Sequence, residues 1–182
     1  IKKSLTTKTN GVLGFIQEAP DKDKKNASMT EDVEKTNDRI SAILKKGSAD
    51  DHFNYALDAA LKGDFQKAEN AFKEFLSTHK ENKKQADAQY WLGRVYYTQK
   101  KYEEAAIALA EFNSIFPNDS RFQETTLLIA EAAVNFAPKT QLCDILTQSL
   151  EFMINPSEKF KTRLSFLKNE KQCSSEWLKV LV

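Results

Sequence analysis

The sequence predicts an all-α protein, an α-solenoid of about three helical-hairpin repeats with a C-terminal capping helix. Three observations carry that prediction. Glycine and proline are scarce, five and four in 182 residues, which leaves too few turns for a β-sandwich or barrel. From Ala49 onward Ala, Phe, Tyr and Leu recur at helical spacing. One motif also returns at a fixed interval. Gly63-Asp64-Phe65-Gln66-Lys67-Ala68 aligns with Lys100-Lys101-Tyr102-Glu103-Glu104-Ala105, 37 residues later. A period of that length belongs to stacked repeats.

The chain divides at about residue 48. Residues 1–48 read as a tether rich in Lys, Thr, Asn, Asp and Ser, with Gly11, Gly14, Pro20 and the mixed-charge run from Asp21 to Lys25. Val12, Leu13, Phe15 and Ile16 form too small an apolar cluster to build a core, so residues 1–29 are expected to be mostly linker. A short helix is expected after it: Ser28 and Glu31 have capping-box spacing, Val33, Ile40, Ile43 and Leu44 recur at helical intervals, and Gly47 is a stop. Ile1 in place of Met leads to the expectation of a processed chain or a fragment.

Residues 49–182 hold the repeats, near 49–85, 86–122 and 123–156, with the cap at 157–182. Helices are expected near 50–62, 65–79, 84–99, 102–115, 121–135, 139–153 and 157–169. Each element has a residue-level reason. Ala68 and Ala105 are followed four and seven residues on by Phe72 and Phe75, then by Leu109 and Phe112. Small Gly93 and Ala105 let paired helices approach. Tyr96, Tyr102 and Phe112 fill the space between neighbours, Trp91 is assigned to the core, and Pro117 stops a helix. Asn118, Asp119 and Ser120 offer N-cap chemistry to the fifth helix. The third copy is worn, with Leu142 at the alanine position and Ala130 at the glycine position. Phe160, Leu164, Phe166 and Leu167 among basic residues suit a closing helix with one polar face.

Charge and motifs exclude several functions. Twenty-seven basic residues against twenty-six acidic ones give a net charge of +1, without the basic surplus that a general grip on nucleic acid requires. No apolar run reaches the roughly 18–20 residues of a membrane-spanning helix. No nucleophile elbow, Walker loop or dinucleotide fingerprint occurs, so no enzyme activity and no cofactor are expected. His52 and His79 are read as exposed helix residues without patterned partners, so no metal site is expected. Asp50-Asp51 and Glu103-Glu104 sit at helix starts, where they complement the helix dipole. On the residues alone, Cys143 and Cys173 have two open readings. They could form a disulfide closing a loop of about 30 residues, worth roughly 3–4 kcal/mol, or be two unrelated thiols.

The second repeat carries a family resemblance. Ala86, Tyr90, Leu92-Gly93 and Tyr96, continuing to Tyr102, Ala105, Leu109, Phe112 and Pro117, resemble the tetratricopeptide repeat pattern. The resemblance implies a binding groove lined by the first helix of each repeat. Its face positions fall on Phe53 and Leu57 in repeat one. They fall on Tyr90, Arg94 and Tyr97 in repeat two, and on Leu127, Glu131 and Val134 in repeat three. Phe53 and Tyr90 could equally pack between repeats. A clamp for a chaperone-tail carboxylate is not expected, because Phe53 and Leu57 stand where its Lys and Asn would.

Residues 52–173 further resemble the C-terminal domain of the periplasmic Tol–Pal cell-division coordinator (CpoB/YbgF) family. Tyr55 to Ala60 followed by Gly63-Asp64-Phe65, then Phe72 to Leu76, and Tyr90-Trp91-Leu92-Gly93 carry it. That resemblance implies a Cys143–Cys173 disulfide and a periplasmic scaffold. Its implied partners are the energy-transducing Tol protein and a peptidoglycan synthase, with outer-membrane constriction coordinated to septal wall synthesis. His79-Lys80 departs from the family's Tyr-Pro. The family's N-terminal coiled coil, its means of oligomerisation, is not recognisable in residues 1–48. The alternatives are another envelope-assembly protein of this repeat class, of the outer-membrane biogenesis lipoprotein type, and a cytosolic adaptor.

Overall fold

The computed structural model describes residues 47–173. The expected tether, its short helix and the last nine residues of the cap lie outside the described residues. Seven helices and no strand occur among those described: α1 Ala49–Leu61, α2 Phe65–Thr78, α3 Gln85–Thr98, α4 Tyr102–Ile115, α5 Phe122–Ala133, α6 Lys139–Glu151 and α7 Glu158–Glu170. Each helix packs on the next in sequence, and the first helices of adjacent hairpins also meet, α1 with α3 and α5 with α7. These neighbour-to-neighbour contacts make a solenoid.

Helix α1 starts at a capping box. Ser48 Oγ accepts from the Asp51 backbone N–H at 3.2 Å, and the Asp51 carboxylate accepts from the Ser48 N–H at 2.8 Å. Two of the donors left open at the helix start are thereby satisfied. The α1–α2 turn needs a left-handed residue, and Gly63 supplies it at φ +81°. Its counterpart in the second hairpin is Lys100, at φ +61°, where a side chain pays a conformational cost that glycine avoids.

The start of α5 departs from expectation, since no side chain caps it. Asp119 instead closes the preceding turn by accepting the Arg121 backbone N–H at 2.9 Å. Asn82 does the same for the Lys84 N–H, also at 2.9 Å. The short polar side chain therefore serves the turn between repeats, two residues upstream of where a cap would act.

Packing explains the small and aromatic positions. Ala68, Ala105, Phe72, Phe75, Leu109 and Phe112 are completely buried, and each large side chain removed from water contributes about 1.5–3 kcal/mol. A Cβ placed on Gly93 would lie 2.6 Å from Leu109 Cγ and Cδ2, so glycine sets the α3–α4 separation. In the worn third repeat, Leu142 joins Ile145 and Leu146 of α6 against Phe160, Leu164 and Leu167 of α7. A disulfide between Cys143 and Cys173, with Cα atoms 5.2 Å apart, ties the end of the cap to α6.

Polar contacts lock successive repeats in register. Glu69 is nearly buried and accepts from Lys73 at 2.7 Å, Lys101 at 2.6 Å and Gln99 at 3.0 Å. Burial opposes its ionisation, but the Lys101, Lys73 and Gln99 hydrogen bonds win and hold the carboxyl below its ordinary range. Further along, buried Asn113 joins α4 to α5 by donating to Thr126 Oγ1 at 2.9 Å and accepting from Thr125.

A second lock repeats with the sequence. Lys84 Nζ lies 3.2 Å from Asp50 and 4.6 Å above the Phe53 ring. Stepping each residue forward by 37 gives Arg121, 2.7 Å from Asp87 and 4.9 Å above the Tyr90 ring. The same three-residue arrangement thus ties the end of repeat one, and then the end of repeat two, back onto the first helix of its own repeat.

Candidate binding groove on the first-helix face

Side chains from α1, α3, α5 and α7 share one face of the stack. Leu57, Tyr97, Leu127, Glu131 and Val134 are half-buried there and Arg94 is exposed. Arg94 is held in place: its guanidinium donates to the Tyr90 hydroxyl at 2.8 Å, lies 3.5 Å from Glu124 and covers the Trp91 ring at 5.5 Å. The Tyr90 hydroxyl in turn donates to Glu124 at 2.7 Å. Burial, then the bond to Glu124, pushes the Tyr90 phenol up, so it stays a neutral donor. Tyr97 stacks edge-on with Tyr102 at 5.5 Å, and burial followed by the Glu131 charge raises it as well.

The groove deepens between α5 and α7. Glu131 accepts from Arg163 Nε at 2.7 Å, and the guanidinium lies 5.3 Å from the Phe166 ring centre. Leu127, Thr162 and Lys159 complete a concavity of about 660 Å³. A second concavity, about 500 Å³, opens on the opposite side between α2 and α4, over Leu76, Leu92 and Ile107.

Several expected positions differ. Phe53 is only 6% exposed and lies in the core against Phe72 and Phe75. Lys84 covers its remaining edge, so it lines no groove. The Tyr90 ring is buried to the same degree and touches the groove through its hydroxyl alone. Trp91 does pack against the core, as expected, and is half-buried with Arg94 over its ring. Thr162, Arg163 and Phe166 were read as parts of a cap, yet they supply a fourth strip of the groove. Helix α7 packs against α5 as α3 packs against α1, which puts these side chains on the same face.

The histidines are also corrected. His52 is 4% exposed, and its Nδ1 lies 2.7 Å from His79 Nε2, so the two rings share a hydrogen bond. His52 precedes Ala56 and Ala59 by four and seven residues, which places it on the buried stripe of α1. Among the described residues no three His, Cys, Asp or Glu side chains stand close enough together to hold a metal ion. None of their helices is long and apolar enough to cross a membrane.

Stacked helical hairpins with a shared first-helix face are the architecture of tetratricopeptide-repeat solenoids, which generally serve as scaffolds for other proteins. Residues 53–120, the first two repeats, match the tetratricopeptide repeat family. No curated protein matches the chain.

Proposed function

We propose that this protein is a periplasmic scaffold whose first-helix groove holds a segment of a partner protein. In this reading it links the Tol–Pal system to septal peptidoglycan synthesis, with the energy-transducing Tol protein and a peptidoglycan synthase as partners. The observation that carries the reading is the strip from Leu57 through Arg94 and Tyr97 to Leu127 and Glu131. It combines apolar surface with an arginine and a tyrosine, the residue types that most often dominate binding energy. Support for the compartment comes from the Cys143–Cys173 disulfide, since such bonds persist in oxidising environments. The resemblance of residues 52–173 to the Tol–Pal coordinator family supports the choice of partners.

The test is capture of the whole chain by the immobilised periplasmic part of the Tol protein. Capture should fall at least tenfold with Arg94→Glu plus Tyr97→Ala, with an unchanged circular dichroism melt as the check on the fold, because Tyr97 also packs against the core. Undiminished capture by the double variant contradicts the groove. No capture of the unaltered chain contradicts the Tol assignment and favours an envelope-assembly role. Free thiols at both cysteines in protein isolated from cells without reductant would favour a cytosolic adaptor.

A further inference from the structure

We infer that the α5–α7 end of the groove is a subsite for a bulky apolar side chain followed closely by a carboxylate on a partner polypeptide. The inference rests on the groove reading above and specifies what that groove selects. Its apolar half is Phe166, 54% exposed on an otherwise polar helix face, together with half-buried Leu127. An aromatic ring left this open beside a concavity gains from being covered.

The ionic half follows from pairing off the charges. Glu131 is answered by Arg163 at 2.7 Å and Glu158 by Lys161 at 2.8 Å. Lys159 lines the same concavity and has no ion-pair partner among the described residues. Lys159 and Arg163 are four residues apart on α7 and so project from one face. Arg163 bonds Glu131 through Nε and lays its guanidinium over the Phe166 ring, which fixes the group while its terminal nitrogens make no hydrogen bond among the described residues. Fixed donors beside an unanswered ammonium suit an incoming carboxylate, and they repel a lysine or arginine.

The probe is a fluorescein-labelled peptide with a Glu-Leu-Phe-Glu centre, compared with its Lys-Leu-Phe-Lys counterpart. Both are titrated to millimolar concentration into the full chain, with amide chemical shifts read in parallel. The acidic probe should bind at least fivefold more tightly and shift Leu127, Thr162 and Phe166. Phe166→Ala should weaken it at least fivefold, and Lys159→Glu should reverse the preference between probes. Both substitutions are at the surface, and an unchanged circular dichroism melt shows that the fold is kept. Equal affinity for the two probes, or no shifts at these residues, overturns the inference. So does self-association that Phe166→Ala abolishes, because the occupant would then be a second copy. Tighter binding of a peptide spanning residues 12–18 of this chain would make the occupant internal, and also overturns it. Loss of Tol capture through Arg94 and Tyr97 with no probe preference sinks only the subsite. Probe preference without any effect of Arg94 and Tyr97 on capture sinks the wider groove reading.

Discussion

Arg121 donates to the Asp87 carboxylate at 2.7 Å beside the junction between repeats two and three, while its guanidinium covers the buried Tyr90 ring. The same relationship joins Lys84 to Asp50 over Phe53 one repeat earlier, at a longer 3.2 Å. The two junctions differ in strength for physical reasons. Arg121 is a planar cation that also pairs with Asp119 and lies over Phe112, whereas Lys84 pairs with a largely exposed carboxylate. Arg121→Ala should cost about 2 kcal/mol and Lys84→Ala under about 1 kcal/mol in urea unfolding. A cycle with Asp87→Ala should return a coupling of about 1 kcal/mol for the Arg121 pair. Equal costs at the two junctions would contradict this ranking.

Asp119 gives the second junction a pH signature. The Arg121 guanidinium beside it holds its carboxyl at about 2, below the ordinary 3.8. A carboxyl depressed on folding stabilises the protein above its unfolded value and loses that contribution as pH falls through the folded one. Some 1–2 kcal/mol should therefore be fully present above about pH 4 and disappear between about pH 4 and pH 2, after allowance for partial solvent exposure. Unfolding midpoints across that window should fall less steeply in Asp119→Asn than in the unaltered chain.

Backbone freedom gives predictions of opposite sign at two positions. Gly93→Ala drives a methyl into Leu109 at 2.6 Å and should cost about 2–3 kcal/mol. Combining it with Leu109→Ala should cost less than the sum of the single changes, because the cavity receives the methyl. Lys100→Gly relieves a left-handed residue at φ +61° and should gain about 0.5–1 kcal/mol. Thermal melts of the four variants, Leu109→Ala alone included, separate these outcomes.

The Cys143–Cys173 bond closes a loop spanning 30 residues. Opening it, by reductant or by replacing both cysteines with serine, should cost about 3–4 kcal/mol. Hydrogen exchange should place the loss in α6 and α7 and leave α1 to α4 protected, since each repeat draws on its neighbours alone. Uniform loosening of all seven helices would contradict nearest-neighbour stability.

The sequence revealed the helices well because their pattern is enforced by packing. Ala68, Ala105 and Gly93 must be small where helices touch, and Phe72, Phe75, Leu109 and Phe112 must fill what remains. The site was less legible. Phe53 and Tyr90 occupy face positions of their helices, yet each is closed off by a cation from the far end of its own repeat, Lys84 or Arg121. A contact 31 residues away does not show in local periodicity. His52 is not legible as buried because it is the one polar residue on an otherwise apolar stripe. Arg163 and Phe166 were missed because the third repeat is too worn for the 37-residue step to reach α7 clearly.

The central claim is that a partner lies along the first-helix face. A photo-crosslinking residue at Tyr97 or Leu127, compared in cells with one at Glu104 on α4, tests it most directly. Crosslinks to the same protein from positions 97 and 127, with none from 104, are the predicted result. Crosslinks from position 104 alone would move the partner to the second helices and contradict the account.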